Sequence, residues 1–505
     1  MEYTTKSLEG KLILFATILA SGMAFLDGSV VTIAIPSIQE KFHATITGIQ
    51  WVVNGYSLLL CALILISGAL GDRFGRKRIF SYGILLFVLA SFLCSISQSI
   101  TELGLFRAFQ GIGGAMMVPG SLSIINSAFA QNVRGRAIGL WSGFAGGVSA
   151  LGPFVGGYLV QYFGWQSIFY INIPLGILAF IIAIKCIPET KNHESTKIDF
   201  IGALLIFLSL LGIAYGLISV SDYGWSNPLI LASILFGVIS FILFLYVEKK
   251  VKQPLVPFHI FKSSLVSGAN IATLFLYFAL SGVIFFLVLN FQQIQHYSPI
   301  YSGLGLLPTI LLITFLSGPG GTIADKYGPR FSMIVGPLIV SIGMFLLILP
   351  SDHANYFISF MPGLVLFGVG MALVIAPLTK SALAVKENYS GAASGVNNAV
   401  ARIAGLLAVA LLGAIIVFLF QQSLTKQITN SAIKRSDKTQ IISQENKLAG
   451  IDLPKTFSKS EVTIAQTAIN SSFIYGFRVI MSINAFLAFL SAVVAFFTIR
   501  NKVKT

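Results

Sequence analysis

Charge is what this sequence has little of. Only 10% of its 505 residues are Asp, Glu, Lys or Arg, where a soluble globular chain carries about a quarter. With 55% of the residues apolar, that shortage excludes a water-soluble fold, whose core could not enclose so much apolar surface. Acidic residues are scarcest, 18 against 33 basic ones, leaving a formal net charge of +15. In so apolar a chain the cations belong to membrane topology, and no nucleic-acid partner is expected. There are three cysteines, Cys61, Cys94 and Cys186, all in or at the ends of apolar segments. Their spacing offers neither a disulfide framework nor a metal site. The five histidines (His43, His193, His259, His296, His353) fall in loops or at segment ends, so no metal or haem site is expected inside the apolar runs. His193-Glu194 lacks the second histidine of a zinc-protease helix. No Gly-rich phosphate loop ending in Gly-Lys-Ser/Thr occurs, which excludes ATP as an energy source. A membrane enzyme or sensor therefore has no support; no enzymatic activity and no cofactor are expected.

What the chain does have is apolar runs of about 20 residues from end to end, each long enough to cross a bilayer. Every crossing must be helical so that backbone groups are satisfied internally. The runs fall at 12–38, 49–70, 79–98, 101–126, 136–161, 167–187, 199–219, 228–247, 264–291, 302–324, 331–349, 356–378, 394–420 and 471–498. The first is too long for a signal-peptide core and is read as a retained span. Arg73, Arg76, Lys77, Arg78, Arg134, Arg136, Lys197, Lys252, Lys326, Arg330 and Lys386 alternate onto one side, while the short loops of the other side hold only Lys41. That asymmetry places the N-terminus, and with an even number of spans the C-terminus, in the cytoplasm. Residues 421–470 form a long polar outer segment, expected to carry short helices or a hairpin.

An internal repeat gives the organisation. Gly68-Ala-Leu-Gly-Asp72-Arg-Phe-Gly75 closes the second span and Gly321-Thr-Ile-Ala-Asp325-Lys-Tyr-Gly328 closes the tenth. Duplicated halves with a substrate cavity between them are a transporter pattern. The copies lie eight spans apart, so the fold class is an all-α membrane protein of two six-helix bundles, 12–187 and 264–505, with two inserted helices in 188–263. Gly75 makes the turn after the first copy, and the basic cluster holds that loop on the cytoplasmic side. Gly68 and Gly71 leave room for a neighbouring helix, and Asp72 should pair with a basic loop residue or with a helix N-terminus. A basic turn that merely fixes topology would show similar residues.

Several spans carry polar or helix-breaking residues that their apolar context does not explain. The fifth has Gly139, Gly143, Gly147, Gly152-Pro153 and Gly156-Gly157. Spacings of four align glycines for close packing, and Pro153 removes a helix hydrogen bond; this reads as a hinge or sealed contact. The fourth holds Arg107, with Gln110, Gly111 and Gly114 on the same face. A mid-membrane arginine costs about 2.5–3.5 kcal/mol to insert and needs a partner or a wet cavity. Asp27 is the only carboxylate deep in the first six spans. By helical rise it lies about 14 Å, and Arg107 about 9 Å, below the outer end of its span. Asn54 sits at comparable depth. A carboxylate beside a cation suits proton coupling, because burial and the cation bias its protonation oppositely; a static ion pair would look the same. In the second half Asn398 and Arg402 share a helix face, and Gln292 and Gln293 end the ninth span. With Asn54, Tyr56 and Gln110, these four could line a substrate path or simply bond helices together.

Taken together these segments resemble the major facilitator superfamily, and within it the fourteen-span drug:proton antiporter branch of the EmrB/QacA type. The resemblance rests on Leu26-Asp27-Gly-Ser-Val-Val-Thr-Ile-Ala-Ile-Pro36, Gly68 to Arg78, Arg107-Ala-Phe-Gln110-Gly111, Gly152-Pro153-Phe-Val-Gly156-Gly157 and Phe169-Tyr-Ile-Asn172-Ile-Pro174. It implies proton coupling or cation recognition at Asp27 and support of proton movement by Arg107. It also implies a conformational lock at Asp72 and a helix seal at the fifth-span glycines. Some relatives carry an acid where this chain has Asn54, which weakens the case for dicationic substrates. The expected function is export of amphipathic drugs or related hydrophobic compounds by proton antiport, with the proton gradient as energy source. Multidrug efflux and antibiotic resistance would follow. The alternative is proton-coupled uptake or facilitated transport of a small metabolite on the same fold. The expected partners are a small-molecule substrate, protons and the lipid bilayer, with a single chain sufficient. The Lys- and Ile-rich composition points to a low-GC bacterium, and the expected location is the plasma membrane.

Overall fold

The computed structural model describes residues 3–191, 199–251, 254–385, 389–454 and 456–499. His193, Glu194, Lys197, Lys252 and Lys386 lie outside the described residues. Among those described, fourteen helices are long and apolar enough to cross a membrane. They are α1 (Leu8–Phe42), α2 (Ile46–Phe74), α3 (Arg76–Ser95), α4 (Ile100–Ala128), α5 (Gln131–Phe163), α6 (Ser167–Cys186) and α7 (Phe200–Tyr223). After them come α8 (Pro228–Lys250), α9 (Ser264–Ile294), α10 (Pro299–Tyr327), α11 (Pro329–Leu346), α12 (Tyr356–Ala382), α13 (Ser390–Thr429) and α14 (Lys459–Thr498). The starts are chemically marked. Ser7, Thr45, Ser99, Asp199, Asn227 and Ser298 each accept a backbone N–H of the first turn, satisfying donors a helix N-terminus leaves free.

The last helix departs from its expected bounds. It begins at Lys459 rather than near residue 471, because Ser458 and Glu461 form a reciprocal capping box that carries the helix beyond its apolar stretch. With α13 running on to Thr429, the outer segment shortens to 430–458 and holds a short helix, Arg435–Ile442, and a 3-10 turn, Glu445–Gly450. Asn446 in that turn donates to Asp222 at the end of α7 (3.0 Å) and accepts from Gln421 of α13 (2.6 Å). The Lys447 carbonyl accepts from Gln39 of α1 at 2.9 Å.

Helices α1 to α6 pack on one another, and α9 to α14 do the same. The halves meet mainly where α5 touches α10 and α2 touches α13; α7 pairs with α8 and packs against both α2 and α13. Gly75 (φ 117°) and Gly328 (φ 88°) make the two repeat turns in a conformation that favours glycine. They mark one end of the molecule, the motif end. At the opposite end the halves are pressed together. A Cβ on Gly157 would lie 2.6 Å from the Pro299 carbonyl oxygen, and one on Gly303 only 2.1 Å from that of Pro153. Gln50 of α2 donates to the Val409 carbonyl of α13 at 2.6 Å. Toward the motif end a Cβ on Gly139, Gly143 or Gly147 of α5, or on Gly318 of α10, would meet nothing within 4 Å.

Two packing expectations fail for this reason. Gly139, Gly143 and Gly147 share a face but no helix stands opposite it, and Gly68 likewise faces open space. Only Gly152 and Gly156 hold α5 tightly to α1, where a Cβ would come within 1.9 Å of Ser29 Oγ and 3.0 Å of Val30. Spacing sets which way a glycine points. The open motif end decides what it meets.

Candidate functional site

Between the halves lies a cavity of adjoining chambers, two of them about 420 and 440 Å³. The first half contributes Phe25, Tyr56, Ser57, Arg107 and Ser149; the second contributes Tyr277, Asn397, Asn398 and Arg402. The two walls differ in character. On the α9, α10 and α12 side the lining is mostly aliphatic and aromatic, with Leu280, Val283, Ile310, Ile313 and Phe367.

The first half places a polar network behind its wall. Asp27 and Arg107 are 2% and 1% exposed and form an ion pair through Asp27 Oδ2. Asp27 Oδ1 accepts from Gln110 Nε2 at 2.8 Å and from Asn172 Nδ2 at 3.4 Å. Gln110 also accepts from Arg107 and donates to Ser91 Oγ at 2.8 Å. Arg107 Nε donates to the Val52 carbonyl at 3.1 Å, and its guanidinium lies 4.4 Å from the Tyr56 ring centre and 5.8 Å from that of Phe169. Both charges are thus matched by hydrogen bonds as well as by each other, which buried ions require. Glycines make this approach feasible: a Cβ on Gly111 would sit 2.3 Å from the Tyr56 carbonyl oxygen, so α2 and α4 touch backbone to backbone beside the pair.

The sequence-derived residues therefore separate. Tyr56, Arg107, Asn398 and Arg402 line the cavity. Gln110 does not; it holds the ion pair from behind. Asn54 is fully buried off the cavity, and neither amide atom has a hydrogen-bond partner. Gln292 and Gln293 sit in the π-helical end of α9. They donate to the Ile33 carbonyl (3.0 Å) and Gln39 Oε1 (2.9 Å), tying the halves together at the closed end instead of lining a path. Their nearness to a helix end, with α1 alongside, is the physical reason.

Asn397 is the partner sequence reasoning missed. It bonds across to Asn270 (3.2 Å) and Thr273 (2.8 Å) of α9 while also lining the cavity; Asn398 bonds only back to Ser394 on its own helix. Ser91 was missed too, being one hydroxyl in an apolar helix. Gln50 had a readable signal as a lone amide near the start of α2.

The repeated motif holds together locally. Asp72 pairs with Arg76 at 2.7 Å inside its own turn, and Glu189 at the end of α6 accepts from the Lys77 backbone at 3.2 Å. No described residue of the second half meets Asp72. In the second copy Asp325 pairs with Lys380 of α12 at 2.6 Å, but the side chains are 65% and 74% exposed. Exposed pairs contribute about 0–1 kcal/mol. Lys380→Ala is therefore expected to shift unfolding free energy in detergent by less than about 1 kcal/mol; a larger loss in a denaturant titration would mean that the pair is coupled to helix packing.

Comparison with known proteins agrees with this architecture. The family model described as Major Facilitator Superfamily matches residues 17–409. The chain is 34% identical over 398 residues to the methylenomycin A resistance protein of Bacillus subtilis, covering 78% of this chain and 85% of that one. It is 28% identical over 481 residues to the tetracenomycin C resistance and export protein of Streptomyces glaucescens, covering 94% and 89%. Among solved structures, a bacterial homologue of the human lysosomal transporter Spinster, inward-facing and unoccupied, aligns with a TM-score of 0.64. That alignment has 17% identity and covers 99% of this chain and 100% of that one. Two packed halves, fourteen membrane-length helices, a cavity between the halves and a match across most of the sequence lead to one conclusion: the chain belongs to the Major Facilitator Superfamily and is a multi-pass membrane transporter.

Proposed function

We propose that this transporter exports amphipathic organic compounds by proton antiport through alternating access, as a member of the fourteen-span drug:proton antiporter branch. The observation that carries the reading is the Asp27–Arg107 pair set into the wall of a cavity shared by both halves. A carboxylate held this way can exchange its cationic partner for a proton when the surroundings rearrange. Relatives named for resistance to or export of tetracenomycin C, methylenomycin A and puromycin support the export direction.

The motif end is the cytoplasmic one in this reading. Arg73, Arg76, Lys77 and Arg78 at the first turn, and Lys326 and Arg330 at the second, fit the excess of cations that cytoplasmic loops carry. Both termini then lie in the cytoplasm of a bacterial cell, and the cavity opens inward. Both halves and the cavity between them belong to one chain, and in this reading the single chain is the working unit. Substrate added to energised everted vesicles is expected to release protons from the lumen, read as recovery of a quenched pH-sensitive dye. Accumulation by intact cells, driven by an inward proton gradient, would refute export.

A further inference from the structure

We infer that the preferred cargo is an amphipathic organic anion, an apolar body bearing a carboxylate or sulfonate, and that Arg402 recognises its charge. The inference rests on the export reading and names the substrate class of the same cavity.

Arg402 lies twelve residues into α13 from Ser390, about 18 Å from the motif end by helical rise. That depth is too great for a residue whose purpose is to fix topology at a membrane surface. An ionised side chain at membrane depth is costly unless a partner or a wet cavity serves it. Arg107, the other deep arginine, has a carboxylate, an amide and a carbonyl. Arg402 lines two chambers of the cavity and has no ion-pair or hydrogen-bond partner among the described residues. Its five N–H donors form a planar fork suited to carboxylate or sulfonate oxygens.

The rest of the cavity agrees. Among the described residues, no Asp or Glu lines any of its three chambers. Asp27, the nearby carboxylate, already has both oxygens engaged by Arg107, Gln110 and Asn172. A cationic substrate would find no free carboxylate and would meet an unpaired guanidinium. Opposite, Leu280, Ile310, Ile313 and Phe367 offer the apolar surface that an organic body needs. Sites of this kind bind by broad apolar contact, with a few polar groups fixing orientation.

The test uses purified full-length protein in nanodiscs and three probes: 1-pyrenebutyrate, its methyl ester and tetraphenylphosphonium. The acid is expected to bind at least about tenfold more tightly than the ester, the range of one charge-assisted hydrogen bond. Arg402→Gln should erase that preference with ester affinity unchanged, and Arg402→Lys should keep part of it. Ester binding by the Gln variant reports that the cavity is intact, and the acid-to-ester ratio of the unaltered protein needs no variant at all. A ratio near one, tighter binding of the phosphonium, no saturable binding of the acid, or equal weakening of all three probes by Arg402→Gln would overturn the inference. Proton release from everted vesicles separates the two readings. Release driven by ester and phosphonium but not by acid sinks the anion assignment and keeps export. No release with any probe, while the acid still binds tenfold better, sinks antiport and keeps Arg402.

Discussion

Asp27→Asn is expected to abolish proton-coupled transport while leaving the protein in the membrane. The substitution is nearly isosteric, so the oxygen that accepts from Gln110 and Asn172 is retained. The other oxygen, which faces Arg107, becomes an amide N–H₂ pointing at an N–H donor, and the negative charge is lost. Breaking a buried ion pair by removing one partner costs about 3–5 kcal/mol. Here the remaining guanidinium keeps the Val52 carbonyl, Gln110 and the Tyr56 ring, which limits the loss of stability. Function has no such reserve, because a carboxamide cannot take up and release a proton. Substrate-induced proton release should fall at least about hundredfold, the lower range for removing a proton-transfer group, measured at matched membrane content. Full release by the variant would remove Asp27 from coupling. A variant that never reaches the membrane would identify the pair as structural.

Gly303→Ala should lower transport by about tenfold or more through sterics alone. Its new methyl group would sit 2.1 Å from the Pro153 carbonyl oxygen and 2.7 Å from the carbonyl carbon. Both atoms are backbone, so neither can rotate away. The closed end of the cavity must widen between α5 and α10, and the equilibrium shifts toward conformations open at that end. Transport needs both conformations, and disfavouring one by about 1.4 kcal/mol already reduces its population tenfold. Spin labels at Tyr162 and Tyr301, exposed by 62% and 65% at this end, should report a longer mean distance in the variant. An unchanged distance distribution with normal transport would show that the contact is not part of the cycle.

How much of this was legible beforehand depended on the kind of signal. Spans were readable because each contains a long apolar window. The clear boundary errors are the end of α13, which runs to Thr429, nine residues past its expected 420, and the start of α14, where a capping box extends a polar helix past its apolar stretch. Asp27 and Arg107 could be paired because each is a lone deep charge in its span, and helical rise alone placed them at similar depth. The bonds around them were not readable, since Ser91 and Asn172 become partners only when α3 packs against α4 and α6 packs against α1 and α3. Asn398 and Asn397 show the same limit. Helical spacing aligned Asn398 with Arg402 correctly, yet the residue one step back makes the contact to α9. Gln292 and Gln293 were readable as interior amides but not as a seal. Which polar residue faces a cavity and which closes it depends on conformation.

Helix α7 covers the seam between α2 and α13, leaving the α5–α10 seam uncovered among the described residues. That seam is tight at one end and vacant beside Gly139 and Gly143 at the other. Under the export reading, that vacancy would give a lipophilic molecule dissolved in the leaflet at the motif end a lateral way into the cavity. The bilayer would then act as the reservoir from which the protein draws. Affinities referred to aqueous concentration would follow each compound's partition coefficient as much as its fit, so two cargoes with equal contacts in the cavity would be ranked by their solubility in lipid.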